Sequence, residues 1–237
     1  VDPSQVERSG VPFNPPAEPA FTFIDLFAGI GGFRLALQAL GGHCVFSSEW
    51  NGAARDTYYT NFGEVPYGDI AQFAAAETEA PLTVKAIPDH DVLCGGFPCQ
   101  PFSLAGVSAR NSLGRHHGFA CETQGTAFFH VAHIIRAKRP RAVILENVRN
   151  FVSHDQGRTL EVVRQVFRNS PEDAEPGLGY HLVEPFLVNS STVVAQRRVR
   201  LFFVAFRDES DYSRFSKPEF EGDIIPLRSI LDEDVPA

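Results

Sequence analysis

The sequence predicts an α/β protein built on a doubly wound, mostly parallel sheet. Short apolar runs alternate along the chain with stretches of helical periodicity, the order that places a crossover helix between neighbouring parallel strands. Four runs, FTFIDLFAGIGG, HCVFSSEW, DVLCGGFPC and AVILENV, end in glycine, proline or an acid. Such endings mark the carboxyl edge of a buried sheet, where open α/β folds bind their ligands. A length of 237 residues suits one sizeable domain, and 43% hydrophobic against 21% charged residues is an ordinary globular balance.

The elements follow in order. Residues 1–20 hold Pro3, Pro12, Pro15, Pro16 and Pro19 with few large apolar side chains and read as a flexible tail. Phe21 to Phe27 is a strand, Gly29 to Gly32 a turn, and Phe33 to Leu40 a helix closed by Gly41 and Gly42. His43 to Ser48 is the second strand, ending at Glu49 and Trp50, and a helix follows through Ala53 to Tyr59. Val92 to Gly95 and Arg141 to Leu145 are further strands, separated by a helix over Phe128 to Ala137. A helix over Leu160 to Phe167 precedes two last strands, Tyr180 to Val188 and Val199 to Phe206. Residues 104–125, rich in Gly, Ser, Arg and His, show no period and suggest a lid or a disordered segment.

Composition narrows the function. A formal net charge of -8 argues against a chain that grips nucleic acid unaided, because phosphate contacts draw on Lys and Arg. It leaves an enzyme of small molecules, or a DNA enzyme whose basic surface lies partly on another segment or chain. No apolar run approaches the roughly 20 residues of a membrane span. The first residues are polar, unlike a signal peptide. Cys44, Cys94, Cys99 and Cys121 lack metal or disulfide-framework spacing, so a reduced, cytoplasmic setting is expected.

The chemistry-bearing positions cluster at strand ends. The first strand runs into Phe27-Ala28-Gly29-Ile30-Gly31-Gly32. Glycines there permit a tight turn and close backbone approach to a ligand at a helix N-terminus. The spacing is not G-x-G-x-x-G, so a nucleoside without a pyrophosphate fits better. Glu49 closes the second strand, where an acid commonly accepts hydrogen bonds from ribose hydroxyls. Trp50 beside it offers a stacking face, against the plainer reading of a core tryptophan next to a solvated acid. Asp69, in Gly68-Asp69-Ile70, would lie near the third strand and can accept from an adenine amino group; alone it is a turn aspartate. Cys99 follows the third strand on a Gly/Pro turn, and Glu146 ends the strand after it, a pairing that suggests acid/base work. Asn147 can equally cap a following helix. Gln196-Arg197-Arg198-Val199-Arg200 leads into the last strand, and alternation puts Arg198 and Arg200 on one face, suited to a phosphate or a carbonyl oxygen.

The ordered set DLFAGIGG, EW, GDI, GFPCQPFS, GTAFF, ENV and QRRVR resembles the cytosine-C5 DNA methyltransferases of bacterial restriction–modification systems, of the HhaI and Dcm types. The resemblance runs from about Phe21 to Phe206. It implies a Rossmann-like, S-adenosylmethionine-dependent fold acting on double-stranded DNA. By this resemblance Cys99 would add to C6 of a flipped-out cytosine, Glu146 would hold N3 and the exocyclic amine, Arg200 would contact O2, and Arg198 would help position ring and thiol. Phe27, Ala28, Gly29, Gly31, Gly32, Glu49, Trp50, Asp69, Ile70 and Pro98 match its cofactor pocket, with Ala127 replacing a larger apolar wall. Gln100, Ser103, Asn147 and Gln196 match its substrate contacts.

The family's target-recognition region and closing motifs have no counterpart in this sequence. Residues 207–237 read as the run-up to that region, which suits the catalytic subunit of a split enzyme whose second polypeptide supplies it, a shortened piece of a longer protein, or a pseudoenzyme. A tRNA cytosine-C5 methyltransferase and a non-catalytic fragment are the alternatives. GFPCQPFS in place of a Pro-Pro-Cys signature favours DNA over tRNA.

Overall fold

The computed structural model describes residues 10–73, 83–98, 127–173, 176–220 and 222–231. Seven strands form one sheet in the order β2-β1-β3-β4-β7-β5, with β6 added against β7. β1 (Phe21–Leu26), β2 (Gly42–Ser48), β3 (Val92–Gly96) and β4 (Ala142–Val148) are mutually parallel, whereas β7 (Val199–Phe206) runs antiparallel to β4. Chain order reverses between β1 and β3, which creates the crevice where open α/β sheets take ligands.

Alternation sends the two faces of the strands into different layers. Ile24, Leu26, Leu93, Val143, Leu145 and Phe203 share one large core with α3 (Ala127–Lys138) and α4 (Arg158–Arg168). Phe23, Cys44 and Cys94 face the other way, against Leu37 of α1 (Gly32–Ala39). Helices thus cover both faces, as the sequence predicts. Asp91 fastens the amino ends of β1 and β3, its Oδ2 accepting from the Thr22 backbone N–H at 2.8 Å and from Thr22 Oγ1 at 3.0 Å. α2 (Gly52–Phe62) starts at Asn51, whose side chain accepts from Ala54 N–H, and stops at left-handed Gly63.

Two expectations are corrected, and a third segment is found packed. The strand expected over Tyr180 to Val188 is broken into β5 (His181–Leu182) and β6 (Phe186–Asn189). The break falls at Pro185, which has no N–H to give a ladder. Residues 10–20 are not a loose tail: Phe13 packs on Phe62 with ring centroids 5.7 Å apart and donates its N–H to Asn61 O. The fold also continues past Phe206. Asp211, in the short helix α5 (Glu209–Tyr212), takes both Arg141 Nε at 2.5 Å and Arg141 Nη2 at 2.7 Å, and Phe215 packs on Phe206.

The β1–β3 pairing leaves no room at Gly95, where a Cβ would stand 2.7 Å from the Leu26 carbonyl oxygen. Gly95→Ala therefore has to push the two central strands apart. It should cost about 1–3 kcal/mol in chemical denaturation, whereas Gly52→Ala, with nothing within 4 Å of its Cβ, should cost no such penalty.

Candidate active site

The carboxyl ends of β1 to β4 gather the predicted residues along one edge. After β1 the chain turns sharply: Phe27, Gly29 and Gly31 all have positive φ, of 55°, 56° and 96°. The strain at Phe27 is the kind tolerated where the surroundings over-determine a functional turn. Ala28 donates its N–H to Ser48 O, and Gly31 donates to Ala28 O, both at 2.9 Å. Gly31 is seated on the Phe62 ring so closely that a Cβ would lie 2.2 Å from it. Gly29 and Gly32 are the opposite case, because a Cβ there would meet nothing within 4 Å. The turn is held from behind and open in front.

Glu49 is buried and spans two turns. Its Oε2 accepts from Gly29 N–H at 2.9 Å and its Oε1 from Asn51 N–H at 2.8 Å. Each carboxylate oxygen keeps a second lone pair for a hydroxyl donor. Trp50 is 74% exposed, so the core reading of this tryptophan is excluded and its ring face is free for a flat partner. Asp69 arrives by a different route from the one expected. Its segment bridges onto the end of β2 through Ser48 and Tyr67, with Tyr67 stacked on Phe46 at 4.9 Å. Exposed Asp69 caps the turn at Ile70–Gln72 by accepting from Ala71 N–H, and Ile70 is buried beneath it.

Across the crevice, Glu146 Oε1 pairs with Arg200 Nε at 2.7 Å, both side chains being about one-fifth exposed. The antiparallel register that sets Val148 opposite Arg200 brings them together. Gly96 lies beside Glu146, where a Cβ would come within 3.2 Å of Oε2. Asn147 departs from the expected substrate contact. It is buried, donates Nδ2–H to Phe97 O at 2.9 Å, and accepts from Val148 N–H on Oδ1 at 2.8 Å. Its amide thus fixes the turn after β3 at Phe97, just ahead of exposed Pro98. Arg198 precedes β7 in an exposed position with its backbone tied to Ser190, so strand alternation from Arg200 does not govern it. Gln196 is exposed and accepts on its backbone oxygen from Ser190 Oγ. Cys99, Gln100, Ser103 and the expected lid at 104–125 lie outside the described residues.

Residues 21–234 match the family model of the C-5 cytosine-specific DNA methylases. The chain belongs to that family. It is 46% identical over 221 residues to the type II methyltransferase M.HpaII of Haemophilus parainfluenzae, covering 93% of this chain and 55% of that protein. It is 42% identical over 239 residues to the DNA-cytosine methyltransferase of Escherichia coli K12, covering 92% and 50%. The chain therefore spans about half the length of the curated relatives it matches. The S. pombe Dnmt2 methyltransferase shares the fold at a TM-score of 0.57 with 18% identity, over 91% of this chain and 61% of that one.

Sequence reasoning missed the support behind the β1–α1 turn of this family member. Arg34 is fully buried, yet it donates Nη1–H to Glu64 Oε2 at 2.5 Å and to Tyr58 Oη at 3.1 Å, and Nε–H to Gln38 Oε1 at 2.6 Å. Asp25, also fully buried, lies beside it. Burial pushes the Asp25 carboxyl up to about 7, against the pull of the Arg34 backbone N–H, the Arg34 charge and the Cys94 thiol. Its Oδ2 has no hydrogen-bond partner among the described residues. Cys94 and Cys44 are inert by the same burial, which raises both thiols, Cys44 to about 12. The signals were an acid inside an apolar strand and an arginine inside an apolar helix.

Asp25 carries a pH dependence of known sign. Folding raises its carboxyl from 3.8 to about 7, so the folded chain binds a proton that the unfolded chain has released between those values. The stability contributed by Asp25 should be full below 3.8 and fall as pH rises through about 7. Denaturation midpoints measured across that window should show a downward slope for the native chain relative to Asp25→Asn. Parallel profiles for the two would refute a buried, proton-holding Asp25.

Proposed function

We propose that this chain is the catalytic part of an enzyme that transfers a methyl group from S-adenosylmethionine to C5 of a flipped-out cytosine in double-stranded DNA, within a restriction–modification or similar system. The observation that carries the reading is a single sheet edge with a nucleoside-shaped cradle on one side of the β1–β3 crevice and a carboxylate–arginine pair on the other. Residues 21–206 make the catalytic and cofactor-binding domain in this reading, with the packing of 207–220 as its extension.

The residues present fit the cofactor. Open space above Gly29 and Gly32, the anchored Glu49 carboxylate and the exposed Trp50 ring make a cradle for an adenosine. Phe27, Ala28, Gly31, Asp69, Ile70 and Pro98 would complete it, with Ala127 in the outer wall. When bound, S-adenosylmethionine would supply an electrophilic methyl group to C5 and leave as S-adenosylhomocysteine. The rest of the chemistry belongs to the chain. Cys99 as thiolate forms a bond to cytosine C6, which pushes the ring electrons toward C5. Glu146 hydrogen-bonds N3 and the exocyclic amine as ring charge shifts, and Arg200 takes O2 while holding Glu146 in place. Loss of the C5 proton and departure of the Cys99 sulfur restore the aromatic ring. Asn147 acts by fixing the turn that leads to Cys99. Arg198, Gln196, Gln100 and Ser103 are assigned to the surrounding substrate contacts.

Target recognition is assigned to sequence not included in these 237 residues, on the same chain or on a second polypeptide. Two observations support it: the relatives are about twice as long, and Ile224, Leu227, Ile230 and Leu231 present exposed apolar side chains beyond the sheet.

Calorimetry with S-adenosylmethionine tests the cradle. Glu49→Ala and Trp50→Ala should each weaken binding by about 1–3 kcal/mol through a lost charged hydrogen bond and a lost stacking face. Unchanged affinity in both would put the cofactor elsewhere. The nucleophile is tested on 5-fluorocytosine DNA in the presence of the recognition segment. The native chain should be trapped covalently, and Cys99→Ser should bind the cofactor but leave no trapped complex, because an alcohol is far less ionised than a thiol near neutral pH. Trapping by the serine variant would reject Cys99.

A further inference from the structure

We infer that the segment Val11–Asn14 is a strap that positions the cofactor turn from behind, with Phe13 and Gln38 as positioning residues for methyl-donor binding. The inference rests on the cofactor cradle proposed above and extends it to residues that touch no ligand.

The β1–α1 turn does not stand on its own hydrogen bonds. Ala28 is clustered with Tyr58 and Phe62, and the Gly31 backbone lies against the Phe62 ring. Whatever fixes the Phe62 ring therefore fixes the height and tilt of Gly29 to Gly31. The ring is fixed from three directions. Tyr58 tilts against it at 4.7 Å, the Arg34 guanidinium covers it at 4.8 Å, and Phe13 packs on it at 5.7 Å. Tyr58 and Phe62 belong to α2 and Arg34 to α1, so Phe13 is the clamp that comes from outside the two helices.

Polar contacts hold the strap in register. Phe13 donates its N–H to Asn61 O at 3.2 Å, next to Phe62 itself. Gln38 Nε2–H donates to Asn14 O at 3.1 Å and to Phe13 O at 3.4 Å. The Oε1 of the same Gln38 side chain accepts from Arg34 Nε–H at 2.6 Å. One amide thus joins the strap to the cation that covers Phe62 and pairs with Glu64. Loosening the strap frees one side of the Phe62 ring and one of the Arg34 partners together. The predicted consequence is a turn that samples more positions, so that ordering it on cofactor binding costs more.

The test compares native chain, Phe13→Ala, Phe13→Leu, Gln38→Ala and Tyr212→Ala by calorimetry with S-adenosylhomocysteine and by chemical denaturation. Tyr212 is a matched control, because it is 39% exposed like Phe13 and lies against His181, at the far end of the fold. Phe13→Ala and Gln38→Ala should raise Kd roughly two- to tenfold, the range that a lost aromatic pair supports. Phe13→Leu should recover most of the affinity, since a large apolar group again covers the ring. Tyr212→Ala should lower the denaturation midpoint without changing Kd. Equal Kd for native and Phe13→Ala overturns the strap, as does a shift of the same size in Tyr212→Ala, which would mark general destabilisation. A folded native chain that does not bind the analogue overturns the cradle itself, and the strap with it.

Discussion

The contact between the Gly31 backbone and the Phe62 ring is the constraint on which the β1–α1 edge of the sheet depends. A side chain at position 31 would have to occupy the ring's own place. With the turn pressed there, Gly29 N–H points to Glu49 and fixes the orientation of that carboxylate. Glu49 in turn receives Asn51 N–H, and Asn51 starts α2, the helix that carries Phe62. The loop of dependence closes on itself: turn, acid, helix and ring each hold the next. Such closed sets are rigid because no single member can move without breaking two contacts, and rigidity is what a binding cradle needs from its first layer.

Charge buried behind this edge follows a different logic. Burying Arg34 is costly, and the ion pair with Glu64 offsets the cost only because Tyr58 and Gln38 also accept from the guanidinium. A Leu or Met of similar volume would pack with less desolvation. What the guanidinium adds is direction, since its planar fork sets α1, α2 and the segment at Glu64 at one mutual angle. Asp25, like Arg34 with its unpartnered Nη2, is incompletely satisfied among the described residues. One oxygen lacks a partner, and burial keeps the proton on it into the neutral range. It interrupts the apolar strand one residue before β1 ends at Leu26.

The local features of the fold were legible because they are written locally. Apolar runs ending in glycine or an acid located the strands, and with them the strand-end positions of the glycine turn, Glu49 and Trp50. Partnerships between distant residues were not legible. Arg34 and Glu64 are 30 residues apart, and nothing in FRLAL or in NFGE tells which acid answers the arginine. Glu146 and Arg200 meet only because β7 runs antiparallel to β4, a direction that apolar content does not encode. The segment before β1 misled for a compositional reason. Five prolines suggested a tail, but proline also lowers the entropy lost when a short extended segment is laid down, and a single Phe13 suffices to anchor it. Pro185 carried a clear local signal, as did the acid in the apolar strand at Asp25.

The net charge of -8 and the DNA substrate named for this family are less at odds than the sum suggests. Net charge governs long-range attraction, whereas contact depends on which charges stand at one face. At the amino end of β4 and the far end of β7 the cations are spent internally: Arg141 on Asp211, Arg207 on Asp208, Lys138 on Asp89. At the opposite end, Arg149 follows β4, and Arg197 and Arg198 precede β7 at exposed positions without an ion-pair partner among the described residues. Val148, just before Arg149, stands opposite Arg200, so Arg149 and the Arg197–Arg198 pair lie at the strand ends that also carry Glu146 and Arg200. The antiparallel last strand supplies the partner of the Glu146 carboxylate, and it is preceded by exposed arginines that have no ion-pair partner among the described residues.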